Sequence, residues 1–128
     1  MPQPVVRKAD VWQGADVTFR ERLVTGNGGT ALVQADVNSW SLRVFRAGDE
    51  KNAKRIVTDA AATSYFFDTL QLTDWTRDTV GYNFQYRLPY SSFKASAATY
   101  VFEFAIKTGS YGTIFSVWEI RYLPVASV

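Results

Sequence analysis

The sequence predicts an all-β protein, an antiparallel β-sandwich of about seven to eight short strands. Three observations carry that prediction. Apolar and polar residues alternate with period 2 over several stretches, which sends successive side chains to opposite faces of a strand. Clusters of Gly, Asn, Asp and Pro separate those stretches at fairly even spacing. No segment shows a long helical period. A sandwich fits better than a closed barrel, because the last strands alternate cleanly between a face for a partner sheet and a face for water.

Residues 1–15 open with Pro2 and Pro4, which have no N–H to give to a ladder, and read as an extended N-terminal arm. Residues 16–128 then form one sandwich domain. "DVTFRERLV" sets Val17, Phe19, Glu21 and Leu23 against Thr18, Arg20, Arg22 and Val24, a half-buried strand, and the glycine-rich "TGNGGT" reverses the chain. "ALVQAD" is a short strand or a step into a turn closed by Asp36 or Asn38. "SWSLRVFRAG" is a strand with Trp40, Leu42 and Val44 on one side, "AGDEKNA" its hairpin tip and "KRIVT" the return. "DAAATS" is too short to stand as a helix and connects to the strand "YFFDTL". "QLTDWTRDTVG" is a loop in which Thr73 or Asp74 can cap a turn. "YNFQYRL", stopped by Pro89, "TYVFEFAIK" and "TIFSVWEIRYL" complete the set.

Composition bounds the function. An apolar share of 47% with 16% aromatic residues is enough to fill a core in a chain of 128 residues. Fourteen basic and twelve acidic residues leave a net charge of +2, and the only clusters, "VRK" and "KNAKR", read as solvated strand ends and a hairpin tip. A nucleic-acid partner is therefore not expected, since that needs a stripe of charge beside stacking platforms. Neither cysteine nor histidine is present, which removes disulfides and thiolate metal sites. The opening "MPQPVVRKAD" lacks the pattern of a secretory signal, and no apolar run approaches the roughly 20 residues that span a bilayer, so synthesis in a cytoplasm and no membrane partner are expected.

No enzyme is expected either. Without His or Cys, acid-base work falls to carboxylates. Asp74 with Asp78 and Asp49 with Glu50 lie in polar loops where solvation explains them, and Glu103 reads as a surface partner for a basic neighbour such as Arg121. "GNGG" follows a strand but opens no helix, so it lacks the setting of a phosphate loop. No cofactor or metal is expected.

The rings of "TVGYNFQYRLPYSSF" decide between a displayed platform and a core. Tyr82, Phe84 and Tyr86 match Tyr100, Phe102 and Phe104 on the next strand, and would share one side of one sheet if the two strands pair. This stretch reads as core. The last strand is apolar on both faces, with Phe115, Val117 and Leu123 on one and Ile114, Trp118, Ile120 and Tyr122 on the other. Such a strand is covered within its own chain or meets another one. Trp118, Tyr122, Tyr111 and Trp75 are the expected interface anchors, because Trp and Tyr commonly dominate contact surfaces.

"DTVGYNF", with the shape D-x-x-G-Y-x-F, resembles the immunoglobulin-type tyrosine corner, with Tyr82 as the corner tyrosine, Phe84 in the place of the usual Cys and Trp40 as a candidate core tryptophan. Over about residues 16 to 120, "VTFRERLVTGNGGTALVQADVNSWSLRVF", "YFFDTLQLTDWTRDTVGYNFQYRLPYSSF" and "TYVFEFAIKTGSYGTIFSVWEI" resemble small β-sandwich proteins of tailed bacteriophage virions, of the head-decoration type and of the N-terminal domain of baseplate upper proteins. The resemblance implies an immunoglobulin-like, non-enzymatic structural subunit of the virion. Its partners would be itself, as a homo-oligomer, and a larger major capsid or tail protein. Baseplate proteins continue into helical segments after the sandwich, and a chain ending at Val128 points instead to a small accessory subunit. The alternative function is a carbohydrate-binding module, which requires at least two of Trp75, Tyr90, Tyr111 and Trp118 to lie coplanar and exposed.

Overall fold

Two β-sheets pack face to face in the computed structural model, which describes residues 6–25 and 29–125. The strands are β1 (Val6–Trp12), β2 (Val17–Glu21), β3 (Val37–Arg46), β4 (Lys54–Ala60), β5 (Phe66–Gln71), β6 (Tyr82–Leu88), β7 (Thr99–Thr108) and β8 (Thr113–Leu123). One sheet has the order β1-β8-β7-β3-β4 and the other β2-β6-β5. This is an immunoglobulin-like sandwich, and every pair within it is antiparallel except β1 with β8, which run parallel. The segment expected as an arm is therefore a strand over Val6–Trp12. Residues 1–5 and most of the "GNGG" reversal lie outside the described residues.

Between the sheets sits an aromatic core. Phe19, Trp40, Phe84, Phe102 and Phe104 are each at most 1% exposed. Their rings meet edge-on or tilted, with Phe19 against Phe102 at 5.1 Å and Phe84 against Phe104 at 5.2 Å, the arrangement that ring quadrupoles favour. Trp40 touches Phe84, Tyr86 and Phe104, and its indole N–H donates to the carbonyl of Ala61 at 3.1 Å, so its one polar atom is satisfied. The rings of β6 and β7 do not lie side by side in one sheet as expected. The two strands belong to opposite sheets, and their rings face each other across the core.

That placement also moves the tyrosine corner. By sheet order, the strand hydrogen-bonded between β8 and β3 carries the corner in this architecture, and that strand is β7. Tyr100 stands near its start, two residues before the buried Phe102, and the Tyr100 hydroxyl accepts from the backbone N–H of Ser96 at 3.2 Å. Phe19 on β2 and Phe102 on β7 hold the position that a disulfide bridges in antibody domains. Tyr82 and Phe84 do not play the parts expected of them, because β6 lies in the other sheet. Trp40 on β3 is the core tryptophan, as expected.

Strict alternation also fails at the start of β6. Tyr82 packs with Phe67 and Trp75, away from the Trp40 group that Phe84 and Tyr86 share. Asn83, whose spacing places it on the outer side, is 1% exposed. Its amide donates to the carbonyls of Leu23 and Leu32 and accepts from the N–H of Leu23, each at 2.8 Å. Gly81 precedes it with φ at 110°, and a Cβ there would lie 2.5 Å from the carbonyl oxygen of Gln71. Only glycine lets β5 and β6 approach at this point.

Candidate functional site

β8 contributes to two surfaces at once. Ser116, Trp118, Ile120 and Tyr122 point inward and are buried, so Phe115, Val117, Glu119, Arg121 and Leu123 point away from the core. The register extends this outer face across the sheet. Ala105 lies opposite Phe115, Glu103 opposite Val117, and Val101 opposite Glu119 and Phe45. On the other side Val6 adjoins Val117, and Trp12 adjoins Leu123. Phe115 is 53% exposed, Trp12 62% and Val6 41%.

Several of the charges on this face are paired. Arg43 donates to Glu103 at 2.6 Å and to Glu50 at 3.0 Å, and the Glu103 bond is the main reason its guanidinium pKa is raised. Arg121 grips both carboxylate oxygens of Asp10, at 3.1 and 2.7 Å. Glu103 thus pairs with Arg43, and the expected Arg121 partner is taken by Asp10. A shallow hollow of about 190 Å³, lined by Ser41, Arg43, Arg55, Glu103, Ala105 and Phe115, lies at its centre. Apolar rings set among these ion pairs describe a surface part of which can be desolvated with its ions already neutralised. Lys8, Arg55 and Glu119 on the same face have no ion pair among the described residues, and would need a partner's charges or a place at the rim.

A second cluster lies where β1, β2 and β8 meet the loop before β6. Glu21, 7% exposed, accepts from Arg7 through Nε and Nη2 at 3.2 Å each, and from Arg77 at 2.9 Å. The Arg77 guanidinium stacks over Trp75 at 4.6 Å and Trp118 at 5.2 Å, and donates to the carbonyl of Arg20. Trp118 gives its indole N–H to Ser116 at 3.1 Å. The loop is held by Asp78, which accepts from the indole of Trp75 at 2.8 Å, the N–H groups of Val80 and Gly81, and Arg22. Those bonds, the Trp75 one foremost, hold the Asp78 carboxyl well below the usual carboxylate range. With two arginines on Glu21 and four donors on Asp78, these carboxylates are committed to tying elements together.

The four expected anchors separate. Tyr122 is 3% exposed and belongs to the core, where burial, with lesser help from Tyr100 and Tyr90, pushes its phenol up to about 12. Trp118 packs against Phe19 at 5.4 Å on its inner side and lies under Arg77. Neither ring is open to a partner, because the opposite sheet selected that side of β8. Trp75 is half-buried between Tyr82 and Arg77. Of the four, Tyr111 alone is exposed, at the β7–β8 turn. The coplanar pair that a sugar-stacking platform requires is accordingly not formed by Trp75 and Trp118, since the Arg77 guanidinium lies over both rings. Phe115, Val6 and Trp12 take the exposed places; Phe115 is named by the same alternation, on the opposite side of the strand from Trp118. Neither protein-family models nor curated proteins gave a match to this chain.

Proposed function

We propose that this protein is a non-enzymatic structural subunit of a tailed-phage virion, made in the host cytoplasm and docked by the outer face of its five-stranded sheet. Its partners on this reading are copies of itself and a larger capsid or tail protein. The observation that supports it is the outward-facing row of exposed Phe115, half-buried Val117 and exposed Val6 beside the internally paired ions of Arg43, Glu103, Asp10 and Arg121. The pattern resemblance to small virion sandwiches supplies the biological setting. Assembly stabilises the subunit by mass action, because only the folded, docked chain buries that row.

Light scattering over a concentration series tests the self-association. The native chain is expected to form a trimer or larger closed ring, and Phe115→Asp to remain monomeric with the melting temperature of the dilute native monomer, since Phe115 is outside the core. A native chain that stays monomeric at every concentration, or a Phe115→Asp variant that assembles like it, overturns this docking face.

A further inference from the structure

β1 is attached to the sandwich in an unusual way for a strand. Val6, Lys8, Asp10 and Trp12 are exposed, while Arg7, Ala9 and Val11 are only half-buried. Its apolar contribution to the core is limited to Ala9 and Val11 at the margin. Ordering seven residues costs conformational entropy throughout the strand, and so small a burial offsets little of it. What fixes β1 is a set of polar latches and a ladder to one neighbour. Arg7 bonds Glu21, Asp10 bonds Arg121, and the strand pairs with β8 alone, from Val6 beside Val117 to Trp12 beside Leu123.

The connection to β2 is short and pivots at a glycine. Gln13 before it is held by its N–H on the Leu123 carbonyl at 2.9 Å and its Nε2 on the Ala95 carbonyl at 3.1 Å, two further bonds that release of β1 has to break. Four residues, Gln13 to Asp16, cross from one sheet to the other, with Ala15 N–H bonded to the Trp12 carbonyl and Gly14 at φ 95° in open space. Glycine has the widest choice of backbone conformations of any residue, which suits this position to act as a hinge. Departure of β1 also leaves no orphaned charge at the buried end, because Glu21 keeps Arg77. The vacated edge of β8 would present a demanding template: a parallel strand with an arginine to reach Glu21, small apolar residues at the two inward positions, and an acid opposite Arg121. The sequence that meets all of those demands is β1 itself.

We propose that β1 is an exchangeable strand, which in the assembled state leaves its own β8 and pairs in the same parallel register with β8 of a second copy of this chain. This rests on the assembly reading above and names how two copies are joined. Reciprocal exchange closes a two-fold pair; exchange in one direction round a ring closes a larger one.

The test uses the absence of native cysteine. Lys8 and Glu119 are register partners that point away from the core. The double variant Lys8→Cys with Glu119→Cys is prepared unlabelled and ¹⁵N-labelled, and the two forms are mixed in equal amounts. They are then oxidised at low and at high concentration, and the peptide joining positions 8 and 119 is read by mass spectrometry beside light scattering of the same samples. Expected is a single-isotope linkage in dilute monomer, giving way in the oligomer to a mixed-isotope linkage that approaches half of the joined peptide. Oligomers whose linkage stays single-isotope overturn strand exchange and leave the assembly reading standing. Monomer at every concentration overturns both. No linkage under any condition means that β1 does not seat on β8, and overturns the proposal as well.

Discussion

Replacing Asn83 by Leu keeps the branching and heavy-atom count of the side chain, though in a somewhat larger volume, and removes every hydrogen bond that this buried amide makes. Two backbone groups then lose the partner given above, the N–H of Leu23 and the carbonyl of Leu32. The carbonyl of Leu23 loses one of two donors and keeps the N–H of Leu32 at 3.0 Å. An orphaned buried polar group costs about 1–3 kcal/mol, so the two together set a range of about 2–6 kcal/mol. The segment beside them reaches solvent at Val24, which is 36% exposed, so local relaxation places the value near the lower half, at about 3 kcal/mol. That is a large share of a total stability of about 5–15 kcal/mol, and corresponds to a fall in melting temperature of about 10 °C for a domain of this size. Urea unfolding followed by tryptophan fluorescence measures it directly. A lower midpoint at unchanged slope is expected. A loss below about 1 kcal/mol would refute the reasoning, because it would mean that water replaces the amide at no appreciable cost.

Two further outcomes follow from the same geometry. Gly81→Ala forces a Cβ to within 2.5 Å of the Gln71 backbone at a positive φ, so β5 must move away from β6; a loss of about 2–4 kcal/mol is expected, and a thermal melt indistinguishable from the native one would disprove the close approach. Tyr122 has its phenol pKa raised in the folded state, so the stability it contributes is complete below the unfolded value of about 10 and is lost as pH rises from there through about 12. An absorbance titration of phenolate should show a late-ionising tyrosine in the native chain that is missing in Tyr122→Phe, and its persistence in the variant would assign it to another ring.

Strands with clean period 2 and apolar content were legible. β3, β7 and β8 follow their alternation because both faces of the pattern, core and water, are expressed in residue type. β1 was not, since "VRKADVW" buries nothing completely and owes its conformation to the far end of the chain, a pairing that local sequence does not encode. Asn83 was misplaced because β5 and β6 slip register between Phe66 and Gln71, which breaks the strict period that its spacing assumed. Trp118 and Tyr122 show a different limit. Periodicity separates the two sides of β8 correctly but does not say which side faces the second sheet, and anchor preference by residue type selected the inner one. The corner tyrosine went to Tyr82 for a related reason: "GYNF" and "TYVF" carry the same Tyr-x-Phe spacing, and sheet membership is what distinguishes them.

The parallel union of β1 with β8 has a mechanical meaning. Val6 lies beside Val117 and Trp12 beside Leu123, so the points where the two strands leave the joint, residue 6 and residue 123, are at opposite ends of it, about 20 Å apart along the strand axis. Tension between those points pulls the strands past each other lengthwise. The ladder is then strained in shear, all of its hydrogen bonds together, whereas a hairpin pulled from its open end unzips one bond at a time. Resistance to such tension is a rate, set by the barrier to sliding, and is separate from how weakly β1 is held at equilibrium. A strand that is easily exchanged at rest can in this way still be hard to pull out, and if it is exchanged, the joint that resists tension lies between subunits.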